Sequence, residues 1–256
     1  MMPTLLVVPT YNERESLPRL LEAILSRPDL AGCDVLIVDD ASPDGTGFVA
    51  EQWRYRAPRR VFVLHRTGPR GFASALRDGF AWGLRRPQYA TLGQMDADGS
   101  HDPRFLPALL ALTASTDVVI GSRYVPGGST PGWSRARRLL SRSASAYAAW
   151  WLHWPIRDGT SGFKIWKRST LEALDWTAVQ GSGYVCQIEL LYQAWVQRRT
   201  LVEVPIVFPD RRAGQSKMTA GMIREALWTV PRLTRRLGMR PAPESLDLSV
   251  WPVLKK

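Results

Sequence analysis

The chain has 256 residues, 45% of them hydrophobic, and a net charge of +11. This length predicts a sizeable core in one large domain, alone or with an appendage. Only five of its 34 cationic residues are lysines. The arginine excess suits phosphate or an anionic membrane surface as partner, and it is equally compatible with an effect of genome composition.

Two cysteines, Cys33 and Cys186, lie far apart in apolar surroundings. They form no metal-binding spacing and no disulfide framework, which predicts a reducing compartment. The first residues, MMPTLLVVPTYNE, lack the basic start of a signal peptide, and we interpret them as a first strand. No apolar run reaches the roughly 18–20 residues that a membrane span needs.

Short apolar runs alternate with helical patterns through the first half of the chain. The predicted strands are Thr4–Pro9, Val35–Val38, Val61–Leu64, Ala90–Met95 and Val118–Ile120, and the predicted helices are Leu17–Leu25, Phe72–Leu84 and Phe105–Leu112. Fully apolar strands between helices indicate parallel strands covered on both faces. The predicted fold class is therefore α/β, with an open, doubly wound and mostly parallel sheet.

Polar clusters follow four of these strands, at residues 9–13, 39–46, 96–99 and 121–124. Ligands of such sheets bind beyond the carboxyl ends of the strands. The four clusters therefore predict one binding edge.

The second half of the chain is less regular. It predicts helices at Arg135–Leu152, Ile188–Val196 and Gly221–Gly238, the last interrupted by Pro231, and strands at Phe163–Trp166 and Leu201–Phe208. We expect one domain over residues 1–238, ending in an amphipathic helix at about 221–238. Residues 239–256 are expected to form a flexible tail.

Asp96 and Asp98 are the first candidates for chemistry. Residues i and i+2 of an extended segment point to one face, so the two carboxylates converge and favour a cation such as Mg²⁺ or Mn²⁺. An Asp-x-Asp pair is a weak signal, because a helix-capping turn explains it too. Asp102-Pro103 does have the pattern of a cap followed by a first helical proline.

Asp39 and Asp40 end the second strand, where a carboxylate can accept hydrogen bonds from a nucleobase or ribose. The chain has neither a Gly-x-Gly-x-x-Gly after its first strand nor a P-loop. Binding of a dinucleotide by a Rossmann motif and binding of a nucleotide by a P-loop are therefore both disfavoured.

Six segments in order resemble the family-2 glycosyltransferases. They are Val-Pro-Thr-Tyr-Asn-Glu (8–13), Val-Asp-Asp-Ala-Ser-Pro-Asp-Gly-Thr (38–46), Met-Asp-Ala-Asp-Gly-Ser-His (95–101), Gly-Ser-Arg-Tyr-Val-x-Gly-Gly (121–128), Asp-Gly-Thr-Ser-Gly-Phe-Lys (158–164) and Gly-Gln-Ser-Lys-Met (214–218). Together they are most similar to the polyprenol-phosphate mannose synthase branch. The resemblance implies a GT-A fold and inverting transfer of mannose from GDP-mannose to a polyprenyl (dolichyl-type) phosphate.

The resemblance also implies roles for individual residues. The donor nucleotide would be held by Pro9, Tyr11, Glu13, Asp39, Asp40, Arg211 and Lys217; the metal by Asp96, Asp98 and Ser100; and the acceptor phosphate by Arg123, Arg137 and Ser141. Asp96, Asp98, Arg123 and Lys217 would be the catalytic set. Some relatives have a glutamine where this chain has Ser100, which puts coordination by that residue in doubt.

A polyprenyl acceptor implies contact with a membrane surface. Trp150, Trp151 and Trp154 suit the bilayer interface, and Met222–Leu237 suits a basic amphipathic helix or, equally, a core helix with a solvated basic face. We expect a peripheral enzyme at the cytoplasmic face of the membrane, alone or with a membrane-protein partner.

Two other hypotheses remain at this point. A sister enzyme would use another sugar nucleotide, such as UDP-glucose. A basic nucleic-acid-binding domain would leave Asp39, Asp96 and Asp98 unexplained, since acids at the binding edge repel a phosphate backbone. We therefore expect no nucleic-acid partner.

Overall fold

The computed structural model is built around one seven-stranded sheet. The strands are β1 Thr4–Thr10, β2 Cys33–Asp39, β3 Val61–His65, β4 Thr91–Gln94, β5 Val118–Ser122, β6 Lys164–Lys167 and β7 Leu201–Pro205. Their order across the sheet is β3-β2-β1-β4-β6-β5-β7. Within this sheet β6 pairs antiparallel with β4 and β5, and the other described pairings are parallel. The prediction of an α/β fold with a mostly parallel sheet is confirmed.

Helices cover both faces of this sheet. They are α1 Leu17–Leu25, α2 Thr46–Arg56, α3 Phe72–Leu84, α4 Leu106–Ala111, α5 Arg135–Leu152, α6 Arg168–Glu172, α7 Gly183–Val196 and α8 Ala220–Leu237. The structure describes residues 2–181, 183–210 and 220–239, with side chains in the last range from residue 225 onwards. No helix in these ranges combines the length and apolar character needed to cross a bilayer.

Alternation along the strands divides the core in two. In β1, Leu5 and Val7 belong to one buried cluster, and Leu6 and Val8 belong to the other. This is the two-residue period of an extended strand buried on both sides.

Two glycines of α3 bring that helix close to the sheet. A Cβ built at Gly79 would lie 2.4 Å from a methyl group of Val7, and one at Gly83 would lie 2.4 Å from a methyl group of Leu92. Four residues apart, the two glycines share one helix face. Only glycine at both positions lets the helix approach this closely.

The direction of each strand decides which residues reach the binding edge. The parallel strands β1, β2, β4 and β5 place their carboxyl ends there. Because β6 runs the opposite way, its first residue Lys164 lies opposite Gln94 at the end of β4 and Ile120 near the end of β5. A segment of the second half of the chain thereby joins the polar edge.

Three sequence-based expectations need correction. Helix α8 continues through Pro231, and α7 begins at Gly183, before the predicted start at Ile188. Trp154 is buried against Tyr192, with their ring centroids 6.0 Å apart, so it is core and does not face a membrane. Residues 240–256, where the tail was expected, lie outside the described residues.

Candidate active site

The polar strand ends enclose a first cavity of about 460 Å³. It is lined by Pro9, Thr10, Tyr11, Glu13, Asp40, Arg70, Gly71, Phe72, Ala75, Asp96, Ala97, Asp98, Gly162, Gly183, Tyr184 and Gln187. Four of the predicted nucleotide-binding residues and both predicted metal-binding aspartates thus share one space. We refer to it as the donor cavity, after the role predicted for these residues from the sequence.

Asp40 is buried and lines the donor cavity. One carboxylate oxygen pairs with Arg66, and the other accepts a hydrogen bond from the backbone N–H of Gly71 at 2.7 Å. Nearby, Arg70 donates to the Tyr11 hydroxyl at 3.0 Å, and its guanidinium lies 5.2 Å from the centre of that ring. The Tyr11 ring and the Arg70 guanidinium form a surface suited to a planar nucleobase, beside the fixed carboxylate of Asp40.

Asp39 is placed differently from its neighbour. Its carboxylate accepts from the Ser42 hydroxyl at 2.6 Å and from Thr10 at 3.3 Å, and it is not part of the cavity lining. Glu13 does line the cavity and accepts from Ser16 at 2.6 Å. Asp39 therefore orders the loop after β2, whereas Asp40 faces the ligand space.

Asp96 and Asp98 line the donor cavity from the loop after β4. Ser100 is buried, and both its backbone N–H (3.0 Å) and its hydroxyl (2.5 Å) donate to Asp98 Oδ1. It lines neither this cavity nor the second one described below. In this geometry Ser100 orients Asp98.

Two carboxylates on one cavity wall fit a hard divalent cation, which takes its remaining ligands from phosphate oxygens and water. A Cβ at Gly162 would lie 3.3 Å from each carboxylate oxygen of Asp96. Glycine at this position therefore leaves space for the Asp96 carboxylate. The described residues contain no cluster of three acidic, histidine or cysteine side chains that could hold a metal. Because Asp96 and Asp98 offer only carboxylate oxygens, this pair suits a hard cation that also binds the oxygens of a diphosphate.

His101 lies beneath this loop. Its Nδ1 accepts from the backbone N–H of Asp96 at 2.8 Å, and its ring packs between Phe163 and Phe208. Burial lowers the pKa of His101, which keeps the imidazole neutral. It supports the shape of the aspartate loop from within the core.

A second cavity of about 320 Å³ adjoins the first. Its lining includes all three predicted acceptor residues, Arg123, Arg137 and Ser141. Asp96, Gly162 and Tyr184 line both cavities. We refer to the second space as the acceptor cavity, after the role predicted for Arg123, Arg137 and Ser141 from the sequence.

Arg123 is held by a buried carboxylate. Its Nε donates to Asp158 Oδ2 at 2.8 Å, its Nη2 to Asp158 Oδ1 at 2.5 Å, and the same Nη2 to Thr160 at 2.8 Å. Burial is the largest single influence on the pKa of Arg123 and lowers it. The charge of Asp158 and its hydrogen bonds together outweigh burial, so the pKa is raised. No residue in the described ranges accepts from Nη1, which leaves this end of the fork for an anion.

Arg137 and Ser141 stand one turn apart on α5. The Arg137 guanidinium lies 3.9 Å from the centre of the Trp133 ring and donates to Asp210 at 2.5 Å. Ser141 accepts from the Tyr124 hydroxyl at 2.5 Å. Aromatic, carboxylate and hydroxyl partners thus hold these two side chains in place.

Helix α7 begins where the two cavities meet. Its first residues Gly183 and Tyr184 line the donor cavity, and Tyr184 and Val185 line the acceptor cavity. The dipole of a helix favours negative charge near its N-terminus. Phosphates brought to either cavity would approach this positive end.

Some site residues escaped the sequence analysis. Tyr184 and Gln187 carried no signal, because α7 looks like an apolar helix. Asp158 and Lys164 belong to one of the quoted motifs, but their spacing gave no role. Burial lowers the pKa of Lys164 to about 7. Arg211 and Lys217, predicted to contact the donor phosphates, lie outside the described residues.

Comparisons with known proteins agree with this architecture. Residues 5–175 match the family described as Glycosyl transferase family 2. The chain is 45% identical to the polyprenol monophosphomannose synthase of Mycolicibacterium smegmatis, over 89% of this chain and 85% of the relative. It is 43% identical to the undecaprenyl-phosphate mannosyltransferase of Micrococcus luteus, over 90% of this chain and 93% of the relative.

Solved structures share the fold at low identity. The glucosyl-3-phosphoglycerate synthase of Mycobacterium tuberculosis with Mn²⁺ and UDP superposes with a TM-score of 0.63 at 18% identity, covering 93% of this chain and 80% of that one. A Pyrobaculum calidifontis mannosyltransferase with GDP-Man and Mn²⁺ gives 0.63 at 22% identity, with coverages of 94% and 66%. The fold is that of the GT-A glycosyltransferases, and the chain belongs to glycosyl transferase family 2.

Proposed function

We propose that this enzyme transfers mannose from GDP-mannose to a polyprenyl phosphate, with inversion at the sugar carbon. The observation that carries the proposal is the pair of adjoining cavities. One presents carboxylates, the other presents arginines, and Asp96, Gly162 and Tyr184 line both. The named activities of the two relatives described above, at 45% and 43% identity, support the same assignment.

The donor would lie with its nucleoside near Asp40 and Tyr11 and its diphosphate near Asp96 and Asp98. A bound Mg²⁺ or Mn²⁺ would neutralise the diphosphate and stabilise it as leaving group. Two neighbours in the fold were solved with such a metal and a nucleotide or nucleotide sugar. Asp98, fixed by Ser100, and Asp96, given room by Gly162, are the residues that would hold it.

The acceptor phosphate would bind between Arg123 and Arg137 in the acceptor cavity. Its oxygen bonds to the sugar carbon while the bond from that carbon to the diphosphate breaks, and GDP leaves. A phosphate monoester is already anionic near neutral pH, so the attack needs no strong general base. The main obstacle to this reaction is the repulsion between the acceptor phosphate and the donor diphosphate. The arginines would offset it by neutralising and positioning the acceptor phosphate.

The mouth of the acceptor cavity is apolar and exposed. Leu140 of α5 and Leu227 of α8 line it and are exposed, and the Tyr147 hydroxyl donates to the Leu227 carbonyl at 3.1 Å, which joins the two helices. Trp150 and Trp228, which lie on the same two helices, are exposed by 67% and 63%. We call Leu139, Leu140, Trp150, Leu227 and Trp228 the apolar rim.

Arginines 135, 142, 232 and 235 are exposed on the same two helices. Apolar side chains beside arginines suit an anionic bilayer surface, where a polyprenyl phosphate would present its headgroup. The enzyme would thus act peripherally at the cytoplasmic face of the membrane, alone or docked to a membrane protein. Ile223 and Arg224, part of the predicted amphipathic pattern, have side chains outside the described residues.

The test is transfer of labelled mannose from GDP-mannose to a short polyprenyl phosphate, with Mg²⁺ or Mn²⁺ and with chelator as control. Metal-dependent label in the organic phase supports donor, acceptor and reaction together. Transfer from UDP-glucose in its place would support the sister enzyme, since the described contacts do not distinguish the two bases. Transfer only after addition of membranes would point to a membrane partner, and no transfer from either donor would refute the proposal.

A further inference from the structure

Three buried side chains form a polar cluster under the floor of the donor cavity. Gln94 ends β4, Lys164 begins β6, and Gln187 lies on α7; the three are at most 1% exposed. Gln187 is the member that lines the donor cavity. We call these three residues the amide cluster.

The hydrogen bonds of the amide cluster fix the orientation of Gln187. Gln94 Nε2 donates to the carbonyl of Gly162 at 3.2 Å and to Gln187 Oε1 at 2.7 Å. A carbonyl oxygen can only accept, so the Gln94 amide has one orientation. Lys164 Nζ donates to the same Gln187 Oε1 at 2.6 Å and to the Ser161 carbonyl. Turning the Gln187 amide over would set its NH₂ group against both donors.

Two atoms of the amide cluster then lack a hydrogen-bond partner among the described residues, Gln94 Oε1 and Gln187 Nε2, and Gln187 is the residue that lines the donor cavity. Its Nε2 is buried and has no hydrogen-bond acceptor among residues 2–181, 183–210 and 220–239. A buried N–H group without an acceptor is unfavourable, and native proteins rarely keep one without a reason. An oxygen of a ligand filling the donor cavity is the acceptor that these residues do not supply.

The position of Gln187 indicates which part of a ligand this is. Tyr184, which lines both cavities, lies three residues earlier on the same helix face. Gly162, also shared by both cavities, accepts from Gln94 in the amide cluster. Gln187 therefore lies at the end of the donor cavity nearest to the acceptor cavity, where the transferred group must be.

We propose that Gln187 is a sugar-binding residue whose Nε2 donates to a hydroxyl of the transferred hexose, with Lys164 and Gln94 as positioning residues that hold the amide. The inference rests on the proposed function. The buried amine of Lys164 also polarises the amide, because hydrogen bonds in a chain strengthen one another. The hexose would thus accept a hydrogen bond from an N–H group whose direction is fixed by the buried residues Lys164 and Gln94.

The experiment compares the affinity of GDP-mannose with that of GDP, by calorimetry with Mn²⁺, in the unmodified chain and in Gln187→Glu. Glutamate keeps an oxygen for Lys164 and Gln94 but replaces the NH₂ donor with an acceptor. We expect GDP-mannose affinity to fall about tenfold to a hundredfold while GDP affinity stays the same. Lys164→Met, which frees the amide to turn, should lower only GDP-mannose affinity and by a smaller factor.

Gln193→Glu is the matched control. Gln193 is buried on the same helix, but its amide binds the backbone of Asp175 at 2.8 and 3.0 Å, away from both cavities. An equal loss of GDP-mannose affinity in this variant would mean that a weakened helix explains the effect, and would overturn the proposal.

Three other outcomes would also test the contact between Gln187 and the sugar. An equal loss for GDP would place the amide on the diphosphate and refute the contact with the sugar. If the unmodified chain prefers UDP-glucose, the comparison is made with UDP-glucose and UDP, and the same difference is expected. A sugar that adds no affinity in the unmodified chain would refute the inference, whereas the proposed function is judged separately by label in the organic phase.

Discussion

The buried carboxylate of Asp158 accepts three hydrogen bonds from Arg123. The carboxylate accepts from Nε, from Nη2 and from the backbone N–H of Arg123, at 2.8, 2.5 and 2.8 Å. Asp158 is fully buried, and the bidentate geometry leaves the guanidinium plane no freedom to turn. The acceptor cavity therefore presents Arg123 in a fixed direction before any phosphate arrives.

Asp158→Asn should damage acceptor use and spare the donor. Asparagine keeps the shape but loses the charge and one acceptor oxygen, so Arg123 is held less firmly. We expect the KM for polyprenyl phosphate to rise about tenfold or more, with GDP-mannose affinity unchanged. Arg123→Ala should act in the same direction and more strongly. Initial rates against each substrate, with binding of GDP-mannose by calorimetry, measure both.

Asp117→Asn is the control for the Asp158 variant. Asp117 also pairs with a cation, Lys167 at 3.7 Å, and accepts from Thr200 at 2.8 Å, but it lines neither cavity. If Asp158→Asn weakened donor and acceptor equally, the assignment of the second cavity to the acceptor would be wrong.

Asp98 and Ser100 make a second, graded prediction. If Ser100 only orients Asp98, Ser100→Ala should lower turnover by roughly tenfold and raise the Mn²⁺ concentration needed for half-maximal rate only slightly. Asp98→Ala should abolish metal-dependent turnover. Titration of activity with Mn²⁺ measures both effects. Activity in Asp98→Ala that survives a chelator would contradict the metal assignment, and a Ser100→Ala variant as inactive as Asp98→Ala would make Ser100 a ligand.

The sequence predicted the half of the site that is built from strand ends. The apolar strand Thr4–Thr10 is followed by Glu13, and the strand Cys33–Asp39 ends in Asp39 with Asp40 directly after it; parallel strands must bring such ends to one edge. Asp39 shows the limit of this reasoning. Neighbours in a strand point to opposite sides, so only Asp40 faces the cavity.

The rest of the site depends on tertiary packing that no local pattern encodes. Asp158 meets Arg123 across 35 positions in sequence, and Gln94 meets Gln187 across 93. Lys164 reaches the edge because β6 runs against its neighbours. Hydrophobic periodicity gives the existence of such a strand but not its direction, so the amide cluster was not predictable.

Glu203 gives the enzyme a pH-dependent stability. Burial raises the pKa of Glu203 to about 7, although its carboxylate accepts from the backbone N–H groups of Arg157 and Asp158, at 2.8 Å each. The folded chain thus keeps a proton that the unfolded chain releases near pH 4.5, the ordinary value for glutamate. Stability conferred by this group is present at low pH and is lost as the pH rises towards about 7.

Replacing Glu203 by glutamine removes this titration. The stability advantage of the unmodified chain over Glu203→Gln should therefore shrink by about 2 kcal/mol between about pH 5 and about pH 7.5. Urea unfolding of both proteins at the two pH values measures it. A difference that stays constant with pH would show that Glu203 titrates near its ordinary value in the fold.

The apolar rim gives a prediction about the membrane. Trp150 and Trp228 lie on α5 and α8, the helices that line the acceptor cavity, and most of each side chain faces solvent. A soluble short-chain acceptor reaches the cavity without a bilayer, whereas a long polyprenyl phosphate must be drawn from one. Removal of the rim tryptophans should therefore matter only for the long-chain acceptor.

We expect Trp150→Ser and Trp228→Ser each to weaken binding to anionic vesicles by about tenfold and to lower transfer to vesicle-borne acceptor, with transfer to a short soluble acceptor unchanged. Co-sedimentation and rates with the two acceptors measure this. Tyr55→Ser is the matched control, because Tyr55 is 90% exposed on α2 and lines neither cavity of the site. A loss with the short acceptor would mean that the tryptophans shape the cavity itself, and equal effects in Tyr55→Ser would mean that the rim is no special membrane surface.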